Sequence, residues 1–154
     1  MHRQILLNGT FFLLGSLFPV IFFHTHFAKE YLTKNIYGKL HIYFNGSSAS
    51  VDAFVDTGNH LYEPMTGLPV CLVEYEKVKP LFHLEEMKDH LWSIPYHTIG
   101  KTDGRLLGIT ADKVIFQNKW RKVIKSGCVI ALYKEKLTRS GEYSAIVHPD
   151  ILEK

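Results

Sequence analysis

Asp56 follows the apolar run Val51-Asp52-Ala53-Phe54-Val55 and opens the tetrad Asp56-Thr57-Gly58-Asn59. An Asp-Thr-Gly turn presented by an apolar strand suits one particular chemistry. Two carboxylates held about 3 Å apart cannot both ionise, so they share one proton; one then acts as base on a water molecule and the other as acid. The Thr57 hydroxyl can hydrogen-bond across such a pair, and Gly58 removes a side chain where backbone and carboxylates converge. Bare, the triplet also makes an ordinary turn. It occurs once in the 154 residues, so the second carboxylate has to come from a second copy, most simply across a two-fold axis. Asp52, Asp103, Asp112 and Asp150 lack the strand-and-turn setting.

The remaining reactive side chains point to less. Cys71 and Cys128 each lie inside an apolar run and read as buried, reduced thiols, with no zinc-motif spacing. Among nine histidines, His24 and His26 form the closest pair, and nothing places a third ligand beside them, so no metal and no cofactor is expected. The net charge is +3, with Lys and Arg scattered; the densest run, Lys119-Trp120-Arg121-Lys122, reads as a solvated hairpin turn. Nucleic-acid binding has no support.

Elements must position Asp56, and their order is legible. From Gln4 to Ala28 the chain has no Asp, Glu, Lys or Arg. Ile5 to Phe23 would extend about 28 Å as a helix, close to the hydrocarbon thickness of a bilayer. Its exit, Phe23-His24-Thr25-His26-Phe27, is too bulky for signal-peptide cleavage. Residues 1–28 are therefore expected to form one membrane span and residues 29–37 a linker. Arg3 lies before the span and Lys29, Lys34 and Lys39 after it, which puts residues 38–154 in the cytosol by the positive-inside tendency.

Past the linker the pattern switches to period two. Leu40, Ile42 and Phe44 alternate with polar positions, Asn45-Gly46 marks a hairpin, and Ser50 to Val55 returns with Val51, Ala53 and Val55 on one face. Further strands are expected at Val70 to Tyr75, Ser93 to Ile99, Leu106 to Thr110, Lys113 to Phe116, Lys122 to Ile124 and Cys128 to Tyr133. Glu76 to Trp92 has near-helical apolar spacing, with Pro80 in its first turn. The expected fold is mainly β: a small barrel or sandwich with one or two helices.

Around the tetrad runs a longer block, Phe54-Val55-Asp56-Thr57-Gly58-Asn59-His60-Leu61-Tyr62-Glu63-Pro64-Met65-Thr66-Gly67-Leu68-Pro69-Val70, supported by Ile94 to Gly100, Leu106 to Val114 and Ala145 to Pro149. These blocks resemble the sporulation sigma-E factor-processing peptidases, membrane-bound aspartic proteases similar to retropepsins. The resemblance spans roughly Gly38 to Ile151. It implies a retropepsin-like small β-barrel, Asp56 as the catalytic carboxylate, and Thr57, Gly58 and Asn59 as its supporting loop. Asn59 stands where retropepsins usually have Ala or Ser, and matches the sigma-factor peptidases. Ile146-Val147-His148 corresponds to the element that braces the retropepsin loop, with His148 in place of its Gly and in a structural role. Gly100 to Gly104 fits either a flap over the cleft or an ordinary hairpin tip. The implied activity is homodimeric cleavage of a sporulation sigma-factor precursor at the membrane, switched on by a signal protein from the other side of the septum. A second class of function also fits the sequence: a non-catalytic, membrane-anchored binding module that holds the precursor or pairs with a full-length relative.

Overall fold

The computed structural model describes residues 36–82, 91–98 and 101–153. The expected membrane span and residues 29–35 of the linker lie outside them; among the described residues no helix is long and apolar enough to cross a membrane. A boundary between compact units falls after Asn35.

Alternation builds the first hairpin. β1 (Tyr37–Phe44) buries Leu40 and Ile42, and β2 (Ser47–Val55) buries Val51, Ala53 and Val55. Asn45 and Gly46 join them with φ of 45° and 77°, the left-handed pair that a two-residue hairpin turn requires. β3 (Val70–Glu74) leads into α1 (Tyr75–Val78) and a 3₁₀ turn at Lys79–Leu81. Then come β4 (Leu91–Thr98), β5 (Lys101–Ala111), β6 (Lys113–Gln117), β7 (Lys122–Lys125), β8 (Cys128–Tyr133) and β9 (Ala145–Val147).

The strands form one nine-stranded sheet in the order β4-β5-β8-β3-β9-β2-β1-β6-β7. β5 and β6 lie near opposite ends of that order, yet only Asp112 separates them in the chain, and its amide donates to the Tyr43 carbonyl at 3.0 Å. The sheet must therefore curl. Ile109 and Ala111 of β5 share one core with Leu40 and Ile42 of β1 and Val114 and Phe116 of β6. Among the described residues the expected barrel does not close, because β4 and β7 remain edge strands. Instead Val78, Leu81 and Phe82 enter the core from the helical segment, and the Phe82 ring lies 5.4 Å from Phe44. A second apolar cluster, with Val70, Ile94, Leu106, Val129 and Ala131, covers the other face of β3 and β8.

The expected helix over Glu76 to Trp92 is corrected at both ends. Its start is only α1 and the 3₁₀ turn, and residues 83–90 lie outside the description. Leu91 and Trp92 belong to β4, where they pair with Ile109 and Gly108, and the Trp92 indole donates to Thr110 Oγ1 at 2.8 Å. Long-range pairing overrides the local spacing there. Pro95 is tolerated because β4 is an edge.

Candidate active site

Asp56 continues β2 by one residue. β9 runs parallel to β2, with Ala53 opposite Ala145 and Val55 opposite Val147, and the Val147 carbonyl accepts the Asp56 amide at 3.2 Å. β9 is also antiparallel to β3. The aspartate thus leaves a strand that has a sheet neighbour on each side.

The turn then organises itself around the carboxylate. Asp56 Oδ1 accepts the Gly58 amide at 2.8 Å, and the Asp56 carbonyl accepts the Asn59 amide at 3.0 Å. A Cβ at Gly58 would stand 3.2 Å from Oδ1, tighter than ordinary contact, which is why glycine occupies the position. Thr57 and Gly58 are exposed and Asp56 is half-buried. Among the described residues no Lys, Arg or His forms an ion pair with Asp56. Asp52, by contrast, is held by Lys39 at 2.8 Å on the outer face.

Asn59 points inward. Its Nδ2 donates to the Val70 carbonyl at 3.0 Å and its Oδ1 accepts the Leu61 amide at 3.1 Å, tying the aspartate turn to β3. The next loop folds around Glu63, which is buried. Its carboxylate accepts the Met65 amide, the Thr66 amide and Thr66 Oγ1 at 3.0, 2.6 and 2.6 Å. Burial opposes ionisation of Glu63, but these three hydrogen bonds outweigh it and hold the carboxyl below its ordinary value. Sequence reasoning gave Glu63 no role of its own; an acidic residue between Tyr62 and Pro64 carries no sign that it will be buried.

His148 follows β9 and is fully buried. Its amide donates to Cys71 Sγ at 3.4 Å, its Nδ1 accepts the Asp150 amide at 3.2 Å, and its ring meets Tyr62 edge-on at 4.5 Å. Because Nδ1 accepts, Nε2 carries the proton, and among the described residues it has no hydrogen-bond partner. Burial pushes the imidazole below its ordinary value, partly offset by the Asp150 charge. Tyr62 donates to Asp150 Oδ2 at 2.8 Å, which raises its own phenol. The structural role expected for His148 matches these contacts. Cys71 and Cys128 are buried free thiols, 3.6 Å apart.

An aromatic wall stands beside the aspartate. Phe54, two residues before Asp56 on the same face of β2, stacks on Tyr143 at 5.1 Å and 20°, and Tyr37 completes the group 5.2 Å from Phe54. The Tyr143 phenol is raised by burial, then by Tyr37 and by the nearby Asp56 charge. Tyr143 could not be found from sequence, because it lies in a Ser-Gly-Glu loop far along the chain.

Of the two glycines proposed for a flap, Gly100 lies outside the described residues. Gly104 sits in β5 opposite Tyr96, whose ring a Gly104 Cβ would meet at 2.4 Å. A cavity of about 290 Å³ opens among Tyr96, Arg105, Leu132 and Tyr133, with no wall from the Asp56 loop. Among the described residues no cluster of three or more His, Cys, Asp or Glu could hold a metal ion.

Comparison with known proteins gives a consistent set. The chain is similar to the sporulation sigma-E factor-processing peptidase of Bacillus subtilis, at 26% identity over 92% of this chain and 54% of the relative. It is similar to a putative sporulation sigma factor-processing peptidase of Bacillus thuringiensis subsp. kurstaki, at 26% identity over 64% of this chain and 73% of the relative. A probable sporulation sigma-E factor-processing peptidase of Clostridium acetobutylicum is 31% identical over 75% of this chain and 42% of the relative. The chain thus spans about half the length of most of these relatives. No solved structure matches it. The family model for sporulation factor SpoIIGA matches residues 4–151, nearly the whole chain, which therefore belongs to that peptidase family.

Proposed function

We propose that this chain is the catalytic half of an aspartic endopeptidase, active as a homodimer and tethered to the cell membrane by its amino-terminal segment, with residues 38–154 in the cytosol. Its substrate is the precursor of a sporulation sigma factor, the activity named for its relatives. A signal protein acting across the membrane is the proposed activator.

The observation that carries this reading is the setting of Asp56: a half-buried carboxylate at the end of β2, braced by the Val147 carbonyl, oriented by the Gly58 amide and paired with no cation among the described residues. A curled sheet with a parallel strand supporting the aspartate turn also supports a retropepsin-like arrangement.

In the dimer the two Asp56 carboxylates hold one proton between them. The ionised one takes a proton from water as its oxygen bonds to the scissile carbonyl carbon; the protonated one gives its proton to the carbonyl oxygen. The tetrahedral adduct collapses as its C–N bond breaks: the carboxyl that took the proton from water gives it to the leaving nitrogen, and the other, now ionised, takes a proton from an adduct hydroxyl, which restores the shared proton. The wall of Phe54, Tyr143 and Tyr37 suits an apolar side chain next to the scissile bond.

Asp56→Asn tests the reading. The variant keeps the Gly58 hydrogen bond and removes the carboxylate, so the fold and membrane association should persist while co-expressed precursor stays uncleaved. Undiminished cleavage by the variant would overturn the aspartic mechanism, and precursor capture without cleavage by the wild type would favour the binding-module class.

A further inference from the structure

Residues 113–127 carry Lys113, Lys119, Arg121, Lys122 and Lys125 and no Asp or Glu. Basic residues alone would make an ordinary solvated turn. The structure adds two large apolar side chains to the same hairpin: Trp120 is 55% exposed and Ile124 is 60% exposed. Asn118 fixes the tip, its Oδ1 accepting the amides of Trp120 and Arg121 at 2.9 and 2.8 Å. Lys119 places its ammonium 5.2 Å from the Trp120 ring. Lys122 and Ile124 stand two apart on β7 and so share its exposed face, whereas Lys125 takes the other face and donates to the Glu153 carbonyl at 3.3 Å; among the described residues β7 is an edge of the sheet. Aromatic and aliphatic side chains set among cations are what an anionic membrane interface binds: the apolar groups enter the headgroup region and the cations meet phosphates.

The tip's place in the fold favours the same occupant. Lys39 pairs with Gln117 and Tyr37 with Phe54, so the tip, the first residues of β1 and the Asp56 turn occupy one end of the sheet. β1 begins at that end, so the chain enters the domain there.

We propose that the β6–β7 hairpin docks on an anionic bilayer surface through Trp120, Ile124, Lys119 and Lys122, and so fixes how the domain is held against the membrane. This rests on the proposed membrane tether and not on the aspartic mechanism. Each basic residue at such a surface favours docking about fivefold, so replacing both lysines should shift the docked-to-free ratio roughly twenty-five-fold. Added salt should weaken docking in the same direction.

The full chain is reconstituted into phosphatidylcholine vesicles with and without phosphatidylglycerol, using acyl chains that carry bromine as quencher. Trp120→Phe assigns the signal, since Trp92 is the one other tryptophan. The expected result is quenching of Trp120 in the anionic vesicles alone, lost in the combined Lys119→Gln and Lys122→Gln variant while that variant keeps the wild-type denaturation midpoint. Equal access of aqueous iodide to Trp120 in both vesicle types would overturn the proposal. So would shielding of Trp120 in lipid-free micelles, which would mean a second copy covers it.

Discussion

The Gly58 amide donates to Asp56 Oδ1 at 2.8 Å, and a methyl group added at Gly58 would stand 3.2 Å from that same oxygen. The glycine therefore sets the carboxylate's direction as well as closing the turn. Gly58→Ala should push the carboxylate aside while disturbing little else, because the position is exposed. Displacing a reacting group by a fraction of an ångström to one ångström costs about a hundredfold in rate, whereas an exposed substitution typically costs under about 1 kcal/mol of stability. Precursor cleavage and the denaturation midpoint, measured on the same preparation, separate the two effects.

Asn59 ties the turn to β3, and its removal should act on stability first. In Asn59→Ala the Val70 carbonyl loses a partner at a buried site and the Leu61 amide at a partly buried one. Two unsatisfied groups cost about 2–4 kcal/mol together. Asn59→Asp keeps the acceptor for Leu61 but turns an oxygen on the Val70 carbonyl, so it too should destabilise. Urea unfolding of the two variants against the wild type checks both.

Local pattern made most of the fold legible. Leu40 with Ile42, and Val51 with Ala53 and Val55, alternate as half-buried strands do, and Asn45-Gly46 has the turn its chemistry requires. The Cys128–Tyr133 strand matches its expected span because an apolar run with no polar alternation reads as buried on both faces. What stayed hidden depends on distant residues. Ala145 to Val147 becomes a strand through pairing with β2 and β3, and Leu91 and Trp92 through pairing with β5. Likewise Asp56 and its turn were visible as a motif, but Tyr143 reaches Phe54 only once β9 has been placed.

Two buried titrating groups should make stability fall in acid through separate windows. His148 has its folded value lowered below 6.5 by burial, so the unfolded chain takes up the proton first. Its contribution is fully present above about 6.5 and is lost as pH falls through that value towards the lower folded one. Glu63, held below 4.5 by its three hydrogen bonds after burial is offset, contributes above 4.5 and loses that contribution as pH falls further. His148→Gln should flatten the first window and leave the second. Denaturation midpoints taken across both windows test this; an unchanged slope near neutral pH in the variant would assign the effect to other groups.

Mixing experiments test whether the reacting carboxylates come from two chains. If each active unit needs Asp56 from both copies, one Asp56→Asn chain inactivates the pair it joins. Random pairing at equal expression leaves about a quarter of the dimers with two carboxylates, so activity should drop to about a quarter of that of wild type expressed alone at the same total amount. Independent half-sites would leave about a half. The tether should favour pairing by confining both copies to one membrane, so dilution in excess detergent should lower specific activity and reconstitution should restore it. An activity that followed the wild-type fraction linearly at every ratio would require the second acid to come from the same chain.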